Sequence, residues 1–237
     1  MSDWQGWRPL PAPAALEPDG PWVDLSHALH DGLRTIGWFP EARFSRLKSM
    51  PDDPLNLTEM QIVCHFGTHV DAPSHFIADG PALDEIPLDR LHGSGVVWRI
   101  DAEPHGYIGA DTLAAMRPAM RDGDIVLLDT GWAAHVGTER YDRHPRLGID
   151  AADWLVAHGA KLVGIDFPTP DLAVDRRPPY FDWPVHHRLL RHGVLISENV
   201  TGLRPLAGRR IEAMFLALAI RGSDGAPVRA VGRLVRS

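Results

Sequence analysis

The stretch His65-Phe66-Gly67-Thr68-His69-Val70-Asp71-Ala72-Pro73-Ser74-His75 decides how this chain is organised. It carries three histidines and one aspartate within eleven residues. In an extended strand, residues 65, 69, 71 and 75 would point to one face, because side chains alternate between the two faces. A straight strand would nevertheless hold His65 and His69 roughly 13 Å apart, at about 3.3 Å per residue.

A metal ion bound by both histidines therefore requires a bend between them, since each nitrogen must lie within ~2.1 Å of the ion. Gly67 suits such a bend because glycine tolerates the dihedral angles of a tight turn. A helix is disfavoured, since Gly67 and Pro73 both oppose one. The stretch predicts a bent strand and turn that presents metal ligands.

A lone histidine in an apolar setting is usually a core residue with a hydrogen-bond partner, and this is the alternative to a metal site. Here three histidines and an aspartate lie among apolar neighbours such as Phe66 and Val70. Each of these polar groups would need its own partner when buried. A metal ion with hydrogen bonds around its ligands supplies those partners, so a metal site is the favoured interpretation.

The composition indicates a soluble globular protein with one domain. The chain has 237 residues, of which 44% are hydrophobic and 23% charged. Its net charge of −7 argues against nucleic acid or an anionic membrane as the main partner. Cys64 is the one cysteine, so no intrachain disulfide is possible. The sequence shows no signal-peptide pattern and no long apolar run, and we expect a cytoplasmic location.

The chain alternates predicted strands and helices, which indicates an α/β domain with a partly parallel sheet. Residues 1–21 contain five prolines and predict an irregular arm, followed by a single domain over 22–237. Arg34 to Met50 is interpreted as a pocket-lining loop, and Asp111 as the cap of a helix. The predicted strands are 22–29, 55–64, 96–100, 124–130, 161–166, 194–200, 211–221 and 228–235; the predicted helices are 110–120, 149–158 and 184–192.

A second group of polar residues lies where a buried strand ends. Glu198 follows the apolar run Val194 to Ile196, and His186 and His187 lie in the helix before that strand. A carboxylate at such a position either pairs with a cation or ligates a metal. Ligands of α/β proteins gather at the carboxyl ends of strands, so this group is a second metal candidate. The histidines at 92, 105, 135, 144, 158 and 192 are interpreted as surface residues.

The pattern H-x-G-T-H-x-D-x-P-x-H resembles the signature of the cyclase-like metal-dependent hydrolases, a family that includes bacterial kynurenine formamidase and isatin hydrolase. Asp24-Leu25-Ser26, Thr130-Gly131-Trp132 and Gly164-Ile165-Asp166 resemble further motifs of that family. The resemblance covers residue 22 to the C-terminus. It implies an α/β fold in which helices flank a mixed sheet, of the swivelling β/β/α type, and a homodimer or homotetramer.

The resemblance also implies roles for individual residues. His65, His69 and Asp71 would be metal ligands, and His186 with Glu198, twelve residues later, would complete a second metal position. His75 would be the proton donor and acceptor. The implied cofactor is one or two divalent ions, Zn²⁺ or Mn²⁺, and neither His nor carboxylate ligands decide between them.

Four aromatic residues are predicted to contact a flat substrate: Trp38, Phe39, Phe76 and Phe167. Family members usually carry a W-P-G step in the loop after the first strand, whereas this chain reads Gly37-Trp38-Phe39-Pro40. This departure leaves the substrate open.

We expect a metal-dependent hydrolase that cleaves an amide-like C–N bond, in a formamide or cyclic amide, of a small and aromatic substrate. Metal-bound hydroxide would attack the carbonyl carbon while His75 transfers the proton. One alternative is an isatin-hydrolase-like or lactone-opening enzyme that uses manganese. Outside the enzymes, the cluster would be the site of a non-catalytic metal-binding protein, although such a closed site has no use for a spare acid–base group.

Overall fold

The computed structural model describes residues 3–13, 15–33 and 39–236. Within these ranges nine strands form one mixed sheet: β1 (Val23–Asp24), β4 (His69–Asp71), β5 (His92–Arg99), β7 (Ile125–Asp129), β9 (Leu162–Ile165), β10 (Leu195–Glu198), β11 (Arg209–Met214), β12 (Gly225–Pro227) and β13 (Val231–Leu234). Their order across the sheet is β1-β13-β11-β5-β7-β9-β10-β4-β12. The central strands β5, β7, β9 and β10 run parallel, and the strands outside them pair antiparallel. The predicted α/β class with a mixed sheet is confirmed.

Both faces of the central sheet are buried. Every residue of β7 is buried, with Val126 and Leu128 in one core and Ile125 and Leu127 in the other. The near-continuous apolar sequence of this strand follows from that arrangement. The helices α2 (Ile149–Ala157) and α3 (Pro184–Arg191) contact one another and contribute to the first core.

The helix predicted over 110–120 is shorter than expected. Helix α1 spans Ala110–Ala115, and the predicted cap by Asp111 is wrong, because Gly109 precedes the helix without a side-chain cap. Instead, the N–H of Ala110 donates to Asp150 Oδ2 at 2.8 Å. The helix ends early because Pro118 lacks an N–H group and disfavours helical geometry in the residue before it.

The interpretation of residues 34–50 as a loop is wrong in part. Strand β2 (Arg43–Lys48) pairs antiparallel with β3 (Leu57–Gln61) in a separate hairpin. Strand β3 lies within the predicted strand 55–64. Strand β2 was missed because almost all of its residues are exposed, so its sequence lacks the alternation of a strand with one buried face. A third small pair joins β6 (Tyr107–Ile108) and β8 (Arg146–Leu147).

The N-terminal arm packs on the body of the protein. Its described residues, 3–13 and 15–21, contain no helix. The N–H of Gln5 donates to the carbonyl of Arg191 at 3.0 Å, and the guanidinium of Arg90 lies 5.1 Å from the ring centroid of Trp7. Among the described residues, no helix has the length and apolar character that a bilayer crossing demands.

Candidate metal centre

The chain bends at Gly67, as the ligand spacing predicts. Gly67 has a φ of +65°, in the left-handed region that favours glycine. Strand β4 follows, and a 3₁₀ turn over Pro73–His75 then folds the chain back. As a result the imidazole rings of His65 and His75 stack, with centroids 3.9 Å apart.

The neighbouring strand β10 carries a second carboxylate to the same place. In the antiparallel register of β4 and β10, Glu198 lies opposite His69. The Nε2 atom of His69 is 3.3 Å from Asp71 Oδ1 and 3.3 Å from Glu198 Oε2. All three side chains are buried.

Helix α3 adds His186 to this group. Its Nε2 atom is 3.2 Å from Glu198 Oε1 and 3.7 Å from Asp71 Oδ2. Two sets of ligands result, His65 with His69 and Asp71, and Asp71 with His186 and Glu198. Asp71 belongs to both sets, one oxygen facing each. The structure thus brings together all five residues predicted to bind metal.

The spacing of these atoms fits a divalent ion. Two ligand atoms that each lie about 2.1 Å from a tetrahedral ion are about 3.4 Å apart. The separations around His69 and His186 are 3.2 to 3.7 Å. Two of the buried atoms, His69 Nε2 and Asp71 Oδ2, have no hydrogen-bond partner among the described residues. Unpartnered buried polar atoms are costly, and coordination to a metal would satisfy them.

The carboxylates hold the buried imidazoles in their protonated form. Burial lowers the pKa of His69, but the facing carboxylates of Asp71 and Glu198 outweigh it and raise that pKa to about 10. The same balance, with Asp171 and Glu198 as partners, raises the pKa of His186 to about 10. Histidine must be neutral to ligate a metal, so each ion that binds here displaces protons.

Asp171 supports His186 from the other side of the ring. Its Oδ2 atom is 2.6 Å from His186 Nδ1, and its two oxygens accept the N–H groups of Val185 and His186 at 3.0 and 3.1 Å. His69 is held similarly, since its Nδ1 donates to the carbonyl of Gly67 at 2.8 Å. Both contacts direct Nε2 toward the ligand cluster. Asp171 was missed in the sequence because it lies outside both predicted groups of ligands, 15 residues before His186.

Asp224 was also missed, and it contacts both stacked histidines. Its Oδ2 atom is 2.9 Å from His65 Nε2 and 3.2 Å from His75 Nδ1. These hydrogen bonds hold the pKa of Asp224 well below its usual range. Its sequence context, Gly222-Ser223-Asp224-Gly225, gives no sign of this contact.

Comparison with known proteins identifies the family. Residues 23–172 match the model of the Cyclase family. The chain belongs to the cyclase family. This family member is 34% identical over 215 residues to the kynurenine formamidase of Bacillus cereus strain ATCC 10987, which covers 90% of the chain and 97% of that protein. It is 31% identical over 216 residues to the kynurenine formamidase of Bacillus anthracis, with the same two coverages of 90% and 97%.

Solved structures show the same fold. An isatin hydrolase bound to the product analogue thioisatinate superposes with a TM-score of 0.81 at 22% identity, covering 91% of this chain and 92% of that chain. Isatin hydrolase A from Ralstonia solanacearum gives a TM-score of 0.79 at 22% identity, with coverages of 90% and 92%. The predicted family and fold are confirmed.

In this cyclase-family protein four of the five candidate ligands, His65, His69, His186 and Glu198, line an open cavity of about 1540 Å³. Phe39, Phe76 and Trp183 are on its wall, and the ring of Phe76 lies 4.5 Å from that of His186. The predicted substrate contacts Phe39 and Phe76 therefore reach the cavity. Trp38, another predicted contact, lies outside the described residues.

Two interpretations are corrected at the cavity wall. Phe167 is completely buried in the core and is not on the cavity surface, because the end of β9 directs it into the first core. His144, interpreted as a surface residue, is buried against the Phe167 ring at the cavity wall. Its Nδ1 donates to the carbonyl of Pro145 at 2.8 Å, and burial lowers its pKa to about 4, so it is neutral at pH 7.

Proposed function

We propose that this protein is a metal-dependent hydrolase that cleaves the amide-like C–N bond of a small aromatic substrate, with an aryl formamide as the first choice. The observation that carries the proposal is the carboxylate of Asp71, shared by two ligand sets beside His75 at a cavity with aromatic walls. The two kynurenine formamidases, at 34% and 31% identity over nearly their whole length, support the choice of bond and substrate.

The proposed ligands of a first ion are His65, His69 and Asp71, and those of a second are Asp71, His186 and Glu198. Imidazole and carboxylate ligands suit Zn²⁺ or Mn²⁺, and we propose one of these two. When bound, a divalent ion polarises a carbonyl oxygen and makes a water molecule more acidic.

His75 is proposed as the general base and acid. Its ring is partly exposed on the cavity, and its Nδ1 is engaged by Asp224. The remaining nitrogen, Nε2, can therefore accept a proton from the attacking water and return it to the leaving nitrogen. In the balanced reaction, water adds to the carbonyl carbon, the C–N bond breaks, and an amine and a carboxylic acid are released, the acid then losing its proton to the solvent. Phe39, Phe76 and Trp183 would stack against a flat substrate.

The assay that tests the proposal uses zinc- or manganese-loaded protein with N-formylkynurenine and with isatin, alongside elemental analysis of the same sample. We expect turnover of the formamide, and a loss of about 10²- to 10⁴-fold in His75→Ala, with the metal content unchanged. The matched control is His158→Ala, since His158 is an exposed histidine at the end of α2. Full activity in His75→Ala with metal bound, or a protein that binds no metal, would contradict the proposal.

The isatin arm of the assay separates two branches of the family. Turnover of isatin without turnover of the formamide would favour the isatin-hydrolase-like alternative, to which the shared fold alone points. The homodimer or homotetramer and the cytoplasmic location stay predictions. Light scattering of the purified protein tests the first, and fractionation of the source cells tests the second.

A further inference from the structure

One carboxylate oxygen contacts two stacked imidazoles. Asp224 Oδ2 is 2.9 Å from His65 Nε2 and 3.2 Å from His75 Nδ1, and the two rings are inclined by only 27°. An ionised carboxylate only accepts hydrogen bonds, so both of these nitrogens carry protons that point at Asp224. The contact therefore selects, on each ring, the nitrogen that faces Asp224 as one that carries a proton.

For His65 this selection leaves the opposite nitrogen for the metal. Nδ1 and Nε2 lie on opposite sides of an imidazole ring, and His65 Nδ1 is 2.8 Å from Asp71 Oδ1. Without an ion, both nitrogens of His65 therefore donate to carboxylates. A bound ion would replace the proton on Nδ1, while Nε2–H still donates to Asp224, so Nδ1 is the atom that can ligate an ion shared with Asp71. A carboxylate that accepts the second N–H of a metal ligand orients the ring and makes the ligand nitrogen more basic.

In the neutral form of His75 the same selection leaves Nε2 without a proton. That is the form in which the ring can accept a proton from water at the cavity. In the other neutral form Nε2 carries the proton, and Nδ1, turned toward Asp224, would face a carboxylate oxygen without a hydrogen between them.

The backbone holds Asp224 at this position. Strand β12 pairs with β4, with Gly225 opposite Asp71, and the carbonyl of Asp224 accepts the N–H of Ala72 at 2.9 Å. A Cβ atom on Gly225 would lie 2.7 Å from His65 Cε1 and 2.8 Å from the carbonyl oxygen of Val70. Glycine thus permits a close approach that a larger residue would prevent.

We propose that Asp224 is a positioning residue that fixes the orientation and the proton position of the metal ligand His65 and of the proton carrier His75. The effect of Asp224 on metal affinity acts through His65. Its effect on catalysis acts through His75 and rests on the proposed function. A competing assignment makes Asp224 itself a ligand, because His65, His75 and Asp224 are close enough to hold an ion of their own. The number of bound ions separates these assignments.

The test is Asp224→Asn in the zinc-loaded protein. We expect an unchanged number of bound ions, a zinc affinity weaker by about 10- to 100-fold in competition with a chelator, and a lower kcat with little change in KM. Long-range ¹H–¹⁵N spectra of the imidazoles, assigned with His75→Gln, should show the Nδ1–H form of His75 in the native protein and lose it in Asp224→Asn. Asp224→Glu keeps a carboxylate and should recover part of each loss.

The matched control is Asp153→Asn. Asp153 has the same side-chain exposure as Asp224, 49%, and pairs with Arg188 on the outer side of α3 instead of with the cluster.

If Asp224→Asn does not fold, the native spectrum and Asp224→Glu still decide the question. An Nε2–H form of His75 in the native protein, an unchanged zinc affinity in Asp224→Asn, or the loss of one bound ion would overturn the proposal. A native protein that hydrolyses no amide would contradict the proposed function alone, since affinity and proton position remain measurable.

Discussion

At the scale of single residues, Gly67 decides whether the ligand loop can form. Its φ is +65°, and a Cβ atom there would lie 2.4 Å from Leu29 Cδ2. We expect Gly67→Ala to lower the free energy of unfolding by more than the ~1–2 kcal/mol that the left-handed conformation costs a non-glycine residue, because the clash adds to that cost. It should also reduce the bound metal, since His65 and His69 lie on either side of the turn.

Urea denaturation and elemental analysis of Gly67→Ala measure both effects. Gly208→Ala is the control, because Gly208 has a similar φ of +72° with no atom within 4 Å of a Cβ. Equal losses of stability in the two variants, with full metal content, would show that the turn tolerates the clash.

The residues predicted from the sequence are those that lie close together along the chain. His65, His69, Asp71 and His75 fall within one motif, and the motif with its glycine predicts both the ligands and the bend. Asp224 lies 159 residues from His65, and nothing in its own neighbourhood marks it as a partner of that histidine. His144 was misjudged for a related reason: its polar sequence context gave no sign that Phe167 and the cavity wall would bury it.

At the scale of elements, helix α3 is fixed to the site through its first turn. Asp171 accepts the N–H groups of Val185 and His186 and also contacts the His186 ring. One carboxylate thus caps the helix and orients a candidate metal ligand, His186. We expect Asp171→Asn to lower the free energy of unfolding by about 1–3 kcal/mol, because an amide replaces a charged acceptor in buried hydrogen bonds.

The second ion should bind more weakly in Asp171→Asn, while the first binds normally. Calorimetric titration with zinc and thermal unfolding of the same protein test this pair of effects. Asp111→Asn is the control, because Asp111 lies in the first turn of α1 without capping it. If Asp171→Asn binds both ions with native affinity, Asp171 only caps the helix and does not support metal binding.

Strands in the centre of the sheet were predicted well because burial on both faces leaves a long apolar run, as in β7. Strand β3 lies within the predicted strand 55–64, but its partner β2 was not predicted, since charged residues such as Arg43, Arg46 and Lys48 give β2 no apolar face. Helix α1 was overextended because the apolar pattern continued past Ala115 toward Pro118. The local sequence thus indicates whether a segment is a strand or a helix where at least one of its faces is buried. It indicates where the element ends only where a capping residue or a proline is present.

At the scale of the whole molecule, the metal centre lies at one end of a sheet that does not depend on it. The two cores on the faces of the sheet consist of apolar side chains from the central strands, the helices and the loops. In addition, the buried histidines and carboxylates of the centre lie within ion-pair distance of one another, so part of the cost of burying their charges is offset without an ion. Removal of the metal should therefore abolish activity and leave the fold intact.

A chelator tests this expectation directly. We expect the metal-free protein to keep its far-UV circular dichroism and a cooperative thermal transition, with a Tm lower by about 5–10 °C. That shift follows from the ~2.7 kcal/mol lost when an ion present at 100 times its Kd is removed, at 2–4 °C per kcal/mol for a chain of this size. Added zinc should restore both Tm and activity.

Asp71→Asn, which lacks the shared ligand, should show no chelator-dependent shift of Tm. If chelation unfolds the native protein at 25 °C, the ion is structural and the non-catalytic alternative regains support, because a catalytic site on a self-sufficient core loses its chemistry before its fold.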